Sequence, residues 1–284
     1  MNPVPPSFDH TITDYYGQAP EETRLEQTPF RLEEIRTREL IQRHAPAPPA
    51  TVVDVGGAAG AYAIWLAEAG YTVHLLDAVP RLVAEARRRT AALSRPLSSC
   101  QVGDARALEF ADGYADIILL LGPLYHLTDA ADRARAFCEA ARVLKPEGIV
   151  FAAAISRYAS ALDGVGRDLF QDPRFGAIVE QDLQDGQRRN PTERLDYFTT
   201  AYFHRPDDLR AEVQSAGLEL EGLYGLEGPG WFLPDLADRW ADLRRRDDLL
   251  RLARQFEAQP SVLGVSAHLL AVARKPAESG RVRC

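Results

Sequence analysis

A glycine-rich turn between two apolar segments is the feature that most constrains what this chain can fold into. Residues 51–55 are β-branched except for Asp54, residues 56–60 read Gly-Gly-Ala-Ala-Gly, and Asp77 ends the next apolar segment. In a parallel sheet with intervening helices, such a turn lets a ligand approach the backbone, and an acid after the second strand binds a ribose diol. The sequence therefore predicts a site for a nucleoside-containing cofactor.

The alternation of apolar segments and helical patterns continues along the chain. Further strands are predicted at 72–77, 98–102, 114–121, 148–155, 218–226 and 261–273, the last one antiparallel to its predecessor. Continuous apolar strands that alternate with helices indicate a doubly wound α/β fold with helices on both faces of a mostly parallel sheet. We expect residues 1–48 to form an N-terminal helical lid on a domain spanning 49–284, with 157–200 inserted as a substrate cap.

Composition excludes several classes of function. The 284 residues carry 33 Lys and Arg against 41 Asp and Glu, a net charge of -8, so a nucleic acid or an anionic membrane surface is not the expected partner. The sequence shows neither a signal peptide nor a long apolar span, and its three cysteines are sparse, which favours a cytoplasmic protein. Cysteine and histidine spacing predicts no metal site, and we expect a monomer or homodimer acting on a small molecule.

Two kinds of nucleoside cofactor fit the glycine turn. Gly56, Ala58 and Ala61 have the spacing of a degenerate G-x-G-x-x-A fingerprint, which keeps an NAD(P)-dependent oxidoreductase as an alternative. The Asp54 carboxylate lies two residues before the turn, where it would repel a pyrophosphate and attract an ammonium or sulfonium cation. S-adenosylmethionine is such a cation. A non-catalytic cofactor-binding subunit is a third possibility, because a fold does not fix a function.

Several motifs in order resemble the class I S-adenosylmethionine-dependent methyltransferases. The family's D-x-G-x-G-x-G motif is matched by Asp54, Gly56, Ala58 and Gly60, with Ala58 departing from it. Residues 102–105, Val-Gly-Asp-Ala, are similar to the motif after the third strand, and residues 142–148 to the R-x-L-K-P-G-G turn before the fifth. The resemblance implies seven strands in the order 3-2-1-4-5-7-6 and methyl transfer to an O, N or C atom of a small molecule, with S-adenosylhomocysteine as product.

The resemblance also assigns roles to cofactor-binding residues. It implies that Asp77 holds the ribose hydroxyls, with Ala78 near the adenine, and that Asp104 and the Ala105 N–H recognise the adenine edge. The remaining residues predicted to bind the cofactor come from the turn, the end of the fourth strand and the lid: Asp54, Gly56, Gly57, Ala58, Gly60, Leu121 and Tyr16.

Candidate catalytic residues follow the fourth strand, at the sheet edge where α/β proteins bind ligands. Tyr125 and His126 lie there, and an imidazole with an ordinary pKa of about 6.5 suits the one proton that methyl transfer sometimes requires. His126 could instead cap the following helix, and Tyr125 could be a pocket wall. The candidate substrate-binding residues are Tyr15, His204, Trp231 and His268.

Overall fold

The predicted strands form one mixed sheet in the computed structural model, which describes residues 12, 15, 16, 24, 25, 27–192 and 194–277. The strands are β1 (Thr51–Val55), β2 (Thr72–Asp77), β3 (Ser99–Val102), β4 (Ala115–Leu120), β5 (Leu144–Ile155), β6 (Gln187–Arg188), β7 (Ala201–Tyr202), β8 (Glu219–Gly225) and β9 (His268–Arg274). The main sheet has the order β3-β2-β1-β4-β5-β9-β8, and β6 pairs with β7 separately. Because β6 and β7 lie outside the main sheet, β8 and β9 are its sixth and seventh strands in chain order. The predicted doubly wound α/β fold and the predicted order 3-2-1-4-5-7-6 are therefore confirmed.

The direction of the strands determines which residues reach the ligand-binding edge. β1 to β5 pair in parallel, whereas β9 pairs antiparallel with both β5 and β8. Ile155, at the end of β5, is therefore opposite His268, the first residue of β9. As a result, the start of β9 and the end of β8 lie at the same edge as the carboxyl ends of the parallel strands.

Nine α-helices connect and cover these strands within the described ranges. They are α1 (Thr28–His44), α2 (Ala61–Glu68), α3 (Pro80–Thr90), α4 (Ala130–Val143), α5 (Ala159–Gly166), α6 (Pro173–Asp185), α7 (Pro206–Ser215), α8 (Leu236–Ala241) and α9 (Leu243–Phe256). Short 3₁₀ turns occupy Leu169–Gln171, Leu195–Tyr197, Gly228–Gly230 and Leu263–Val265.

Alternate residues of the central strands face two separate apolar layers. On β4, Ile117 and Leu119 belong to the layer that α1 and α2 cover, and Ile118 and Leu120 to the layer covered by α4 and α7. All four side chains are fully buried. Both faces of a parallel sheet must be covered in this way, which explains the continuous apolar sequence of the strand.

The fifth strand begins earlier than predicted. Leu144 already pairs with Ala115, and a register shift precedes the regular pairing that starts at Ile149. The predicted turn at 146–148 is an irregularity within β5, where Glu147 has a φ of 63° and its N–H donates to the Lys275 carbonyl. The turn residues therefore do not end the strand, because the adjacent segment of the sheet supplies a hydrogen bond across the irregularity.

The predicted lid is only partly described. Leu40 and Ile41 of α1 are buried in the apolar layer against the sheet, so α1 packs on the body of the protein. Before α1, the structure describes Ile12, Tyr15, Tyr16, residues 24–25 and residue 27, and the rest of the predicted lid lies outside the described residues. Movement of a lid stays a prediction.

The predicted cap region contains α5, α6 and β6 around one buried ion pair. The guanidinium of Arg188 donates to Asp182 at 2.5 Å, to the Ser160 hydroxyl at 3.0 Å and to the Tyr197 carbonyl. Both charged side chains are almost completely buried. No strand is predicted here from the sequence, and the two-residue β6 is held by pairing with β7.

Two further features bear on the sequence predictions. Cys100 is free and half-buried. Within the described ranges, no helix is both long and apolar enough to cross a bilayer.

Candidate functional site

The glycine turn after β1 has a backbone that alternates into the left-handed region. Gly56, Ala58 and Gly60 have φ values of 75°, 46° and 88°. The N–H groups of Gly56 and Gly57 both donate to the Leu76 carbonyl, at 2.8 and 3.2 Å. These bonds fix the turn beside the end of β2 and leave its open side toward the sheet edge.

Asp77 ties the turn to the start of α3. One carboxylate oxygen accepts the Ala58 N–H at 2.9 Å and the other accepts the Val79 N–H at 2.8 Å. Ala58 therefore tolerates its left-handed backbone partly because its N–H is satisfied, although a side chain there costs roughly 1–2 kcal/mol relative to glycine.

Replacing Gly56 by alanine should destabilise the protein strongly. The new Cβ would lie 2.7 Å from Pro123 Cδ, and φ is +75°. Left-handed strain and overpacking together should cost about 2–4 kcal/mol in free energy of unfolding, measured by urea denaturation. Ala58→Gly is the matched control and should change stability by less than about 1 kcal/mol, because relief of strain opposes gained chain entropy. Equal losses in both variants would contradict this account of the turn.

Asp54 is a buried carboxylate beneath the turn. It is 1% exposed, and its Oδ2 has no hydrogen-bond partner among the described residues. Burial, reinforced by the nearby Asp77 carboxylate, raises the pKa of Asp54 to about 7. A Cβ on Gly57 would lie 2.7 Å from this Oδ2, so glycine keeps the turn close to the carboxylate. A carboxylate with one unpartnered oxygen beside a bare backbone fits the ammonium and sulfonium end of S-adenosylmethionine.

Three cavities meet at the sheet edge. The acid-lined cavity has a volume of about 220 Å³ and contains Asp77 and Asp104. The turn cavity, about 240 Å³, contains Asp54 and residues 56–61. The aromatic cavity, about 580 Å³, is lined by many ring side chains, including Tyr15, Phe30, Phe198, Trp231 and Phe232. Of all described residues, Tyr125 alone lines all three cavities.

The acid-lined cavity brings together the residues predicted to bind adenosine. Its lining includes Tyr16, Gly56, Ala58, Asp77, Ala78, Asp104 and Ala105. Asp104 is paired with Arg106, whose Nη2 lies 2.7 Å from Oδ2, and Arg106 also contacts Asp132 at 2.6 Å. The remaining predicted cofactor residues, Gly57, Gly60, Leu121 and Asp54, line the turn cavity.

His126 is engaged at both ring nitrogens. Its Nε2 lies 2.7 Å from the Tyr16 hydroxyl, and its Nδ1 lies 3.4 Å from the Thr200 carbonyl. Burial lowers the pKa of His126 to about 4, so the ring is neutral at neutral pH. It lines the acid-lined cavity and not the aromatic one. The alternative role as a helix cap belongs to Asp129, which accepts the Ala131 N–H.

His268 lies between the turn cavity and the aromatic cavity and lines both. Its Nδ1 is 2.6 Å from Glu227 Oε1, and its backbone N–H donates to Glu227 Oε2 at 3.0 Å. Glu33, which accepts two hydrogen bonds from Arg24, approaches the same Nδ1 to 3.8 Å. Burial opposes the charged ring, but the Glu33 and Glu227 carboxylates outweigh it and raise the pKa of His268.

The other predicted substrate residues are separated by the fold. Tyr15 and Trp231 line the aromatic cavity, where the Tyr15 ring packs edge-on against Phe198 and the Trp231 Nε1 donates to the Val265 carbonyl. His204 is fully buried, pairs with Glu212 at 3.1 Å, and lines none of the three cavities. The structure does not bring His204 to this site.

Glu227 is the functional candidate that sequence reasoning missed. It follows the edge strand β8 outside any recognisable motif, and only the antiparallel pairing with β9 places it against His268. The available signal was a carboxylate shortly after a predicted strand. That signal is too common to indicate a site until the structure shows that the carboxylate contacts His268.

Comparisons with known proteins identify a methyltransferase domain in this chain. Residues 53–152 match the family model described as a methyltransferase domain. The ubiquinone/menaquinone biosynthesis C-methyltransferase UbiE of Acidiphilium cryptum (strain JF-5) is 28% identical over 199 residues, which span 67% of this chain and 75% of that protein.

Solved structures show the same fold at lower identity. An S-adenosylmethionine-dependent methyltransferase from Methanosarcina mazei aligns with a TM-score of 0.57 at 17% identity, covering 84% of this chain and 98% of that one. Another from Mesorhizobium loti has a TM-score of 0.57 at 19% identity, covering 86% and 99% of the two chains. At such identities the likeness establishes the architecture of the chain.

Proposed function

Since this chain is a class I S-adenosylmethionine-dependent methyltransferase that uses S-adenosylmethionine as its cofactor, we propose that it methylates a small planar acceptor held in the aromatic cavity. The observation that supports this most directly is the position of Tyr125, where the two cofactor-side cavities meet the aromatic one. The alternatives of an NAD(P)-dependent oxidoreductase and of a non-catalytic subunit are set aside.

The proposal divides the cofactor between the two smaller cavities. Asp77 binds the ribose hydroxyls, and Asp104 with the Ala105 N–H recognises the adenine edge. The methionine end lies in the turn cavity, where Asp54 offers its unpartnered oxygen to the ammonium group. Leu121, on the wall of the same cavity, keeps it partly apolar.

The chemistry required of the protein is mainly alignment. When bound, S-adenosylmethionine supplies an activated methyl group, and the transfer is an in-line displacement that depends on holding donor and acceptor in register. Tyr125 forms the wall at that point. His126 holds Tyr16 through the hydrogen bond at its Nε2, so we assign it a positioning role instead of the predicted role as a base.

Blocking the aromatic cavity tests the proposal. Ala237 is exposed on α8 and lines this cavity, so Ala237→Trp should fill part of it without touching the cofactor cavities. We expect methyl transfer to fall at least about tenfold, through a higher KM for the acceptor, while affinity for S-adenosylhomocysteine stays unchanged. Transfer is measured by mass spectrometry with methyl-labelled cofactor and a panel of hydroxylated and amino aromatic compounds.

The matched control is Ala241→Trp, which adds the same side chain at an exposed position of α8 that lines none of the three cavities. It should behave as the unmodified protein. Equal transfer by both variants would place the acceptor elsewhere, and absence of transfer to every compound in the panel by the unmodified protein would contradict the proposed function.

A further inference from the structure

We infer that Glu227 and His268 form a proton-accepting pair for an acceptor that carries a ring hydroxyl, so that the methyl group is bonded to that oxygen. This rests on the proposed function, because the acceptor must lie in the aromatic cavity. His268 is the catalytic residue in this inference, and Glu227 is a positioning residue that acts through it.

Glu227 and His268 lie at the ligand-binding edge of the sheet, because β8 ends there and the antiparallel β9 begins there. His268 is the first residue of β9, and Glu227 follows the end of β8 by two residues. Ile155, opposite His268 in the sheet, packs in the same apolar cluster as Tyr125 and Trp231. His268 therefore lies near the place where donor and acceptor meet, and it lines both the turn cavity and the aromatic cavity.

Glu227 fixes which ring nitrogen is available. Its two carboxylate oxygens accept from the Nδ1 and from the backbone N–H of the same residue, which holds the ring in one orientation. A neutral ring held through Nδ1–H presents its lone pair at Nε2. That atom makes no hydrogen bond with any part of the chain that the structure describes. A histidine oriented by a carboxylate at one nitrogen, with the other nitrogen accessible, is suited to accept a proton.

The charges around His268 compensate the ring once it has accepted a proton. The charged groups that act on it are Glu227 after β8, Glu33 of α1 and Arg24 before α1, and Tyr62 of α2, whose pKa is raised by burial, lines the turn cavity with it. With His268 neutral these groups carry one net negative charge, and with His268 protonated two positive and two negative charges balance. A phenol that gives its proton to the ring leaves a phenolate beside this compensated imidazolium.

The step balances without any further reactant. The acceptor O–H bond breaks and its proton goes to His268 Nε2, while an oxygen electron pair forms the new bond to the methyl carbon. The carbon–sulfur bond breaks, and its electron pair stays on sulfur, giving S-adenosylhomocysteine and a methyl ether. The Glu227 carboxylate accepts the hydrogen bond from Nδ1 and stabilises the imidazolium that forms.

The test compares pH–rate profiles of the unmodified protein, Glu227→Gln and His268→Gln with phenolic members of the acceptor panel. The unmodified protein should gain activity as the pH rises through the raised pKa of His268. Glu227→Gln keeps a hydrogen-bond acceptor at Nδ1 but removes the charge, so its profile should move to lower pH. His268→Gln should lose about 10²–10⁴-fold in kcat.

The outcomes separate this inference from the proposed function. The control is His74→Gln, which replaces a strand histidine outside the three cavities and should keep its activity. As a check of folding, affinity for S-adenosylhomocysteine should stay unchanged in every variant. Transfer only to amine nitrogen or ring carbon, or an unshifted profile in Glu227→Gln, would overturn the proton-accepting pair and leave the proposed function intact. No transfer to any acceptor would overturn both.

Discussion

Asp54→Asn is expected to stabilise the cofactor-free protein and weaken cofactor binding at the same time. The pKa of Asp54 rises from 3.8 to about 7 on burial, so the native state holds an extra proton between roughly pH 4 and 7. Stability therefore falls as the pH rises through that range, and the ionised carboxylate costs about 2–4 kcal/mol at pH 8. Asparagine removes this cost.

Urea denaturation at two pH values measures the first effect. The variant should exceed the unmodified protein in free energy of unfolding at pH 8, and the two should converge below about pH 3, where the carboxyl is protonated in both states. A difference that does not change with pH would show that packing, and not charge, separates the two proteins.

Calorimetry with S-adenosylhomocysteine, which keeps the ammonium group, measures the second effect. Loss of a buried charge-assisted contact should weaken binding by about 1.5–3 kcal/mol, or roughly 10- to 150-fold. Affinity of the unmodified protein should also decline as the pH falls below about 7, because the carboxyl must be ionised to hold a cation. A variant that binds as tightly as the unmodified protein would exclude Asp54 from the cofactor site.

Arg188→Met should destabilise the cap region, because it leaves one buried charge unpaired. The substitution leaves the buried Asp182 carboxylate without its partner, and it takes donors from Ser160 and the Tyr197 carbonyl. Breaking a buried ion pair by removing one member costs about 3–5 kcal/mol. We expect residues 157–200 to become sensitive to limited proteolysis, while affinity for S-adenosylhomocysteine is retained.

The double variant Arg188→Met/Asp182→Leu is the matched control. Burial raises the pKa of Asp182 and lowers that of Arg188 despite their attraction, which indicates that desolvation outweighs the gain from pairing. An apolar pair should therefore recover most of the lost stability. Continued proteolysis in the double variant would show that the Arg188 hydrogen bonds to the backbone, and not the unpaired charge, hold the cap.

Much of the sheet and of the cofactor side could be predicted from the sequence because the signals there are local. The apolar segment at β4 has no polar alternation, which is the pattern of a strand buried on both faces, and Asp77 and Asp104 each lie close to a strand end. The strand order also needed the family resemblance. Asp54 was singled out by its distance of two residues from Gly56.

The acceptor side could not be predicted to the same depth, because its contacts join residues far apart in the chain. From the sequence alone, His204 and His268 are equivalent candidates. The antiparallel direction of β9 places His268 at the aromatic cavity, whereas His204 is buried and paired with Glu212. Similarly, nothing local distinguishes Arg188 and Asp182 from the many exposed charged residues around them. Their burial depends on the packing of α5 against α6, the helix that contains Asp182.

The position of the aromatic cavity has a consequence for how acceptor preference can diverge among relatives. All of its lining residues except Tyr125 lie outside residues 53–152, the part that matches the methyltransferase domain. The two flanking parts of the chain can thus accumulate substitutions without altering the glycine turn, Asp77 or Asp104. Proteins that share this domain are therefore free to differ in the molecules they modify, and chimaeras joined near the end of β5 would exchange most of the cavity as a unit.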